Sequence, residues 1–504
     1  MIRPFNDSGV TRGADGILRY DNLQNSLVEM LRATTDQSPN NEAVVELAGN
    51  SESQRVSYLQ LWDRAARVAG GLKAMGVGKG DRVAIQLGNG LNWCVAFWGI
   101  QLAGAIAVPV NTRFAEPEVE YVINDSGAKF SFKTGDALPD GAPFAIENLQ
   151  PEDASAIFYT SGTTGFPKGA ITTHANFLTN NENCVRVVNL PTDGSVRTLI
   201  SVPLFHVTGC NSQFLCCCQS GSTSVVMPAF NVQEFLKAIV NERTNSVTSV
   251  PAIHWLAISQ PNFKEFDVSH VRWLTYGGAP IAPELVGKLI EAFPNARVGN
   301  GFGLSETSSV ATFLPHEYSR EHADSVGFGA PVVDLQLFEV DAESGVGELL
   351  IRGANVVKGY WNKPEATEAA FVDGWLHTGD MARINDEGFV YIVDRKKDMI
   401  CRGGENVYCV EVENALAAHP AVFEVAVIGV PDEVMGEKVG AVIVPRPGQQ
   451  LDPADLIAFA RKHLADFKVP QYVIVRAELL PRNPGGKILK PALRNSVEWG
   501  KPVR

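Results

Sequence analysis

The sequence predicts an α/β protein: a large N-terminal region of parallel-rich sheets covered by helices, with a small β subdomain, followed by a small α+β unit. Three observations carry this. Helix-period and strand-like apolar stretches alternate through the first half of the chain, the signature of βαβ units. After Val332 the texture changes to short strands and turns. A five-residue charged run, Asp394-Arg395-Lys396-Lys397-Asp398, then separates two differently built regions. At 504 residues the chain is also too long for one ordinary core.

Each element rests on a local pattern. Ser57 to Met75 repeats apolar residues at helical spacing and stops at Gly76. Arg82 to Gln86 reads as a short strand, Asn92 to Leu102 as a helix, and Ala105 to Val110 as a strand again. The most apolar run, Trp93 to Val110, is interrupted by Gly99, Gln101, Gly104 and Pro109. It therefore predicts a buried helix and a buried strand, not a membrane span. Further strands are predicted at Ala154 to Phe158, Thr198 to Val202, Ser224 to Met227, Val247 to Val250 and Val271 to Tyr276. The charged run follows the predicted strand Phe389 to Val393 and reads as a linker. Beyond it come a helix (Val410 to Ala418), a strand pair (Glu424 to Val430, Lys438 to Val444), a helix (Pro453 to Leu464) and a strand near Gln471 to Val475. These make a unit of about a hundred residues, an ordinary domain size.

Composition narrows the function. Hydrophobic residues make up 45% and charged residues 20%, which excludes disorder, collagen and coiled coil for the chain as a whole. With 43 Lys and Arg against 56 Asp and Glu, the net charge of −13 repels phosphate backbones and argues against nucleic-acid binding. The eight cysteines have no metal-ligand spacing; Cys216, Cys217 and Cys218 are consecutive and cannot all face one ion. They read as buried thiols in a reducing compartment. The N-terminal stretch lacks the apolar core of a signal peptide, and KPVR is no peroxisomal or ER address, so a cytoplasmic protein is expected.

Five clusters carry chemistry. The densest is Tyr159-Thr160-Ser161-Gly162-Thr163-Thr164-Gly165-Phe166-Pro167-Lys168-Gly169, placed directly after a strand. Every residue from Tyr159 to Gly165 is a glycine or bears a hydroxyl. Glycines bring backbone N–H donors close to a ligand, hydroxyls add donors and Lys168 adds charge, which suits a polyphosphate. The cluster lacks the GK[ST] ending of a Walker A loop. Tyr276-Gly277-Gly278-Ala279-Pro280 stands at a predicted strand end, where open α/β sheets bind ligands, and Asn300-Gly301-Phe302-Gly303-Leu304-Ser305-Glu306-Thr307 is a third glycine-rich cluster. Their glycines let a flat ring lie against backbone, Phe302 offers a stacking face, and Glu306 is a hard oxygen ligand suited to Mg²⁺. Gly374-Trp375-Leu376-His377-Thr378-Gly379-Asp380 presents a carboxylate able to accept from two ribose hydroxyls. Pro481-Arg482-Asn483-Pro484-Gly485-Gly486-Lys487-Ile488-Leu489-Lys490 reads as an exposed loop presenting Lys487.

Together these clusters resemble the adenylate-forming superfamily of acyl-CoA synthetases, adenylation domains of peptide synthetases and luciferases. The resemblance covers nearly the whole chain in the family's order. Two departures are mild: Phe302-Gly303-Leu304-Ser305-Glu306 stands where the family often has Tyr-Gly-x-Thr-Glu, and Cys409-Val410-Glu411 where a Pro often precedes the Glu.

The resemblance implies an N-terminal domain over 1–393, a hinge at 394–397 with Lys397 as pivot, and a mobile C-terminal domain over 398–504. It implies ATP, coenzyme A and Mg²⁺. Thr160, Ser161, Gly162, Thr163, Thr164, Gly165 and Lys168 would hold the β and γ phosphates. Gly277, Gly278, Ala279, Asn300, Gly301, Phe302 and Gly303 would border the nucleotide, Ser305 would contact the α phosphate and Glu306 the metal. Asp380 and Arg395 would bind ribose. Lys487 would neutralise charge where carboxylate and α phosphate meet. Gly403, Gly404 and Glu405, within Arg402 to Asn406, match the loop lining the pantetheine tunnel. His206 matches a position in the wall of the acyl pocket, whose expected lining is Val207, Gly209, Asn211, Trp255, Gly277 and Leu304, apolar with few polar groups.

Three activities fit this resemblance: a carboxylic acid:CoA ligase, a stand-alone adenylation enzyme loading a carrier protein, and a luciferase-like oxygenase. An amino-acid activator needs a carboxylate for the substrate ammonium near Phe205-His206-Val207, and none is there. No carrier domain is expected after Arg504. The expectation is therefore a ligase for a medium or longer fatty, alicyclic or aryl acid. Its partners are a small carboxylic acid, ATP and CoA, with no nucleic acid and no transmembrane segment; homodimerisation is left open.

Overall fold

The computed structural model describes residues 2–49, 52–160, 167–279, 281–403, 405–482 and 488–503. The chain divides into two compact units, residues 1–335 with 351–377, and residues 336–350 with 378–504.

Two sheets build the first unit. The larger has nine strands in the order Phe328–Gly329, Thr312–Leu314, Arg297–Phe302, Trp273–Gly277, Ser246–Ser249, Arg197–Ile200, Thr223–Val226, Glu42–Glu46 and Gln54–Ser57. The six strands from Arg297–Phe302 to Glu42–Glu46 are parallel, and the outer ones are antiparallel. The smaller sheet runs Phe130–Lys133, Arg82–Gln86, Ile106–Pro109, Ala154–Thr160 and Lys168–Thr173, parallel except for its last pair. Parallel pairs need crossovers, and the helices supply them.

The apolar run at 93–110 is the helix Leu91–Leu102 followed by the strand Ile106–Pro109, both buried, as the sequence predicts. The helix is apolar on every side because residues of both sheets share one core with it. Gln101 within it is satisfied by Ser155: its amide donates to the Ser155 carbonyl at 3.1 Å and accepts from the hydroxyl at 2.6 Å. The helix Tyr58–Ala74 starts at a capping box between Ser57 and Gln60. Among the described residues no helix is long and apolar enough to cross a membrane. The eight cysteines are free thiols, seven of them buried, and no group of His, Cys, Asp and Glu among the described residues could hold a metal ion.

In the second unit, strands Val422–Asp432 and Gly436–Pro445 pair antiparallel, and Tyr472–Val475 adds parallel to the latter. Both faces are covered. Val427, Ala441 and Ile443 pack with helices Cys409–Ala417 and Pro453–Ala460, while Ala426, Ile428 and Val442 pack with Leu493 of Lys490–Ser496.

The two acidic ends of the charged run are anchored. The strand extends two residues further, Val390–Arg395, and takes in Asp394. Asp394 is buried and accepts from the Cys409 N–H; Asp398 is buried and pairs with Arg494 at 3.1 Å. Lys396 and Lys397 between them are exposed. Local sequence could not show this, because the partners lie 15 and 96 residues away.

Candidate functional site

In the first unit, Thr160 and Lys168 are register partners at the ends of Ala154–Thr160 and Lys168–Thr173. Ser161, Gly162, Thr163, Thr164 and Gly165, between them, lie outside the described residues. Residues 359–361 run against the second of these strands: Ile171 N–H donates to Gly359 O at 3.0 Å and Trp361 N–H to Gly169 O at 2.8 Å. Tyr360 is thereby set beside Lys168, whose ammonium lies 5.1 Å from the ring centroid. The Tyr360 hydroxyl donates to Glu306 Oε1 at 2.7 Å. Burial and the adjacent Glu306 charge push the Tyr360 phenol up, so it stays a donor. Residues 168, 306 and 360 thus form one constellation, and Tyr360 is a member that no local motif signals.

Ser305 and Glu306 sit on the short 3-10 turn Ser305–Thr307, both half-buried. The next two residues are strained: Ser308 and Ser309 have φ of 55° and 117°, left-handed backbone uncommon outside glycine. Buried asparagines hold this turn. Asn355 Nδ2 donates to Thr307 O and Val310 O at 3.0 and 3.1 Å, Asn211 Nδ2 to Ser308 O at 2.8 Å, and Asn180 Oδ1 accepts from Val310 N–H at 3.0 Å. The sequence carries one trace of this network. Asparagines at 176, 180, 181 and 183 recur along the helix His174–Val188, and all are buried.

The strands Trp273–Gly277 and Arg297–Phe302 are parallel neighbours with Gly277 opposite Gly301, so both glycine clusters stand together at strand carboxyl ends. Close chain approach dictates two of these glycines. A Cβ on Gly277 would lie 2.2 Å from the Gly301 carbonyl oxygen, and one on Gly303 would lie 1.4 Å from that of Ser309. Gly278 is exposed and Ala279 half-buried beyond the strand end. Asn300 is buried with its amide donating to Ser325 O at 3.1 Å, so that group is used within the fold.

Beneath these ends lies a cavity of about 100 Å³ against one face of the nine-stranded sheet. Gly277, Gly278, Gly301, Phe302, Gly303 and Val207 are on its wall. Gly209, Asn211, Trp255 and Leu304, also expected to line an acyl pocket, are not on this wall. The helical segment here is π-wound over Cys210–Leu215, which turns Gln213 toward the cavity and leaves Asn211 to hold Ser308. The wall is also more polar than expected: Thr198, Ser246, Thr248 and Thr275 contribute to it. Among the described residues that line it, none is charged. His206 stands at the start of the turn Val207–Gly209, its ring 4.7 Å from that of Phe205, and is not on the cavity wall.

In the second unit, Asp380 and Arg395 are register partners across an antiparallel strand pair, with Arg395 Nε donating to Asp380 Oδ1 at 3.0 Å. Asp380 is buried and the guanidinium is partly exposed. Gly403 follows the strand Ile400–Arg402, with φ of 60°, and Arg402 pairs with Glu405 across the turn. Glu405 is exposed. Gly404 and Lys487 lie outside the described residues.

The AMP-binding enzyme family matches residues 31–145 and 133–361, and the AMP-binding enzyme C-terminal domain matches residues 411–487. The chain belongs to the AMP-binding enzyme family. A long-chain-fatty-acid–CoA ligase of Mycobacterium tuberculosis is 37% identical over 506 residues, covering 94% of this chain and 99% of the relative. A feruloyl-CoA synthase of a Streptomyces species is 35% identical, covering 87% of this chain and 93% of the relative. Among solved structures, the o-succinylbenzoate CoA synthetase of Bacillus subtilis in complex with its acyl-adenylate intermediate superimposes with a TM-score of 0.84 at 29% identity, covering 95% of this chain and 100% of that one. This AMP-binding enzyme is accordingly an AMP-forming acyl-CoA synthetase, a carboxylic acid:CoA ligase using ATP and CoA.

Proposed function

We propose that this synthetase activates an uncharged-tail fatty, alicyclic or aryl acid in two half-reactions. The substrate carboxylate attacks the α phosphorus of ATP; the acyl-adenylate forms and pyrophosphate leaves. The CoA thiol then attacks the acyl carbon, and AMP leaves as the thioester forms. No protein nucleophile is needed, because the carboxylate itself attacks.

Lys168 and the Thr160–Gly165 segment carry the β and γ phosphates. Glu306, a hard oxygen donor whose Oε1 is oriented by Tyr360, fits Mg²⁺. Bound there, the ion neutralises phosphate charge. Ser305 contacts the α phosphate, Asp380 and Arg395 bind ribose, and Lys487 neutralises charge at the carboxylate. His206 contributes to the mouth of the acyl site. Residues 398–504 turn about 394–397, with Lys397 as pivot, so that Lys487 serves the first half-reaction and Gly403 to Glu405 the second. The free cysteines support a reducing, cytoplasmic setting.

One observation carries the substrate reading: a cavity without charged lining beneath the glycine-rich strand ends. An ammonium group there would be unpaired, at a cost of several kcal/mol on the order known for buried lone charges. The test is ATP-dependent pyrophosphate release across a panel of carboxylic acids and free α-amino acids, with CoA as acceptor. Neutral-tail acids should support release and thioester formation; equal rates with free amino acids would overturn the reading.

A further inference from the structure

The cavity has a wall that the sheet does not require. Thr198 and Ser246 are register partners on neighbouring parallel strands, as are Thr248 and Thr275. Register partners project to one side, and the Oγ1 atoms of Thr248 and Thr275 lie 2.7 Å apart. All four line the cavity. The alternate residues Leu199, Val247 and Leu274 face the other way into an apolar core. Parallel strands covered on both faces usually read as continuous apolar runs. Here one face has hydroxyls where packing alone would put Val or Leu.

Gln213 adds a second, independent observation. It lines the same cavity from the π-wound segment and is 2% exposed. Its Nε2 donates to Thr208 O at 3.4 Å, which assigns Oε1 as the acceptor end of the amide. That oxygen is buried with no hydrogen-bond partner among the described residues. A buried acceptor left unpaired is destabilising, and only an N–H or O–H can relieve it. The oxygen has almost no accessible surface, so a ligand donor reaches it when the side chain turns toward the cavity; the uncharged wall excludes a charged amine, and a hydroxyl is a neutral donor that fits.

We propose that the acid activated by this enzyme carries a hydroxyl on a compact tail, read by Gln213 as acceptor and by the hydroxyls of Thr198, Ser246, Thr248 and Thr275. This rests on the cavity being the acyl site. Taking the carboxyl end at the level of Gly277, where the two glycine clusters meet, Thr275 is two residues back along its strand and Ser246 stands level with a point four residues back. At about 3.3 Å per residue the hydroxyl falls about 7–13 Å from the carboxyl end. The volume of about 100 Å³ is on the scale of a compact tail, not of a long alkyl chain. A long alkyl tail would displace water from the hydroxyl wall and give Gln213 nothing in return.

The experiment measures kcat/KM for pyrophosphate release and for thioester formation with matched acids: 3-(4-hydroxyphenyl)propanoic against 3-phenylpropanoic acid, a hydroxylated against a plain cyclohexane acid, and decanoic acid. The hydroxylated member of at least one pair should be favoured about tenfold or more. Gln213→Leu and, separately, Thr275→Val should shrink that ratio toward one, whatever either does to the absolute rate with the plain acid. Equal kcat/KM within every pair in the unmodified enzyme overturns the inference and leaves the ligase reading intact. Failure to release pyrophosphate with any acid overturns both. Because the ratio is read first in the unmodified enzyme, the test does not depend on either variant folding.

Discussion

Tyr360→Phe removes one oxygen and leaves the ring on which Lys168 rests. The lost bond, 2.7 Å from the phenol to Glu306 Oε1, has an ionised acceptor and is half-buried. Charge-assisted bonds of this kind contribute about 1.5–3 kcal/mol. If Glu306 holds Mg²⁺, that energy keeps its carboxylate in one orientation, and losing it loosens the ion. At about 1.4 kcal/mol per tenfold, the expected rise in the Mg²⁺ concentration for half-maximal rate is about 10- to 100-fold, which agrees with the usual effect of removing a group that orients a metal ligand. The assay is the initial rate of pyrophosphate release against Mg²⁺ at saturating ATP and acid, in a variant whose melting temperature is checked. The rate at saturating Mg²⁺ should fall much less than the affinity. An unchanged half-maximal Mg²⁺ with a uniform loss of rate would refute the reasoning, since Tyr360 would then act on chemistry and not through Glu306.

Asn355→Ala strips the donors from Thr307 O and Val310 O beside the strained Ser308-Ser309 pair; a loss of about 2–4 kcal/mol is expected from urea unfolding, and a loss near zero would mean the turn is held otherwise. Lys487→Ala should slow adenylate formation about a hundredfold or more yet spare conversion of synthetic acyl-adenylate and CoA to thioester, whereas Lys397→Pro should do the reverse; equal effects on both half-reactions in folded variants would remove the proposed division of labour. His174 and His254 are both pushed down to about 4 by burial, so between pH 6.5 and 4 the unfolded chain binds protons that the folded chain refuses. Stability should therefore fall as pH drops through that window, by up to about 3 kcal/mol per histidine. Urea midpoints at pH 7 and pH 4.5 measure it; His254→Gln should flatten the slope, and an unchanged slope would place the proton uptake elsewhere.

The sequence by itself determined the fold class, the buried nature of residues 93–110 and the glycine-rich breaks of the candidate site, because those depend on local periods and on turn chemistry. Hydrophobic alternation and glycine-rich breaks are properties of a few consecutive residues. The motif order was equally legible, and with it the enzyme class. Tertiary structure decided what surrounds those motifs. Tyr360 reaches Glu306 only because residues 359–361 pair with the strand Lys168–Thr173, a register no local pattern encodes. The anchoring of Asp394 and Asp398 depends on Cys409 and Arg494, so a run that looks solvated is half buried. Which of the residues expected around an acyl pocket reach this cavity was hidden for the same reason. Whether Thr198, Ser246 and Thr275 face one cavity together is set by strand register, and whether Gln213 or Asn211 joins them is set by one π-wound turn, and neither is written in the neighbouring residues.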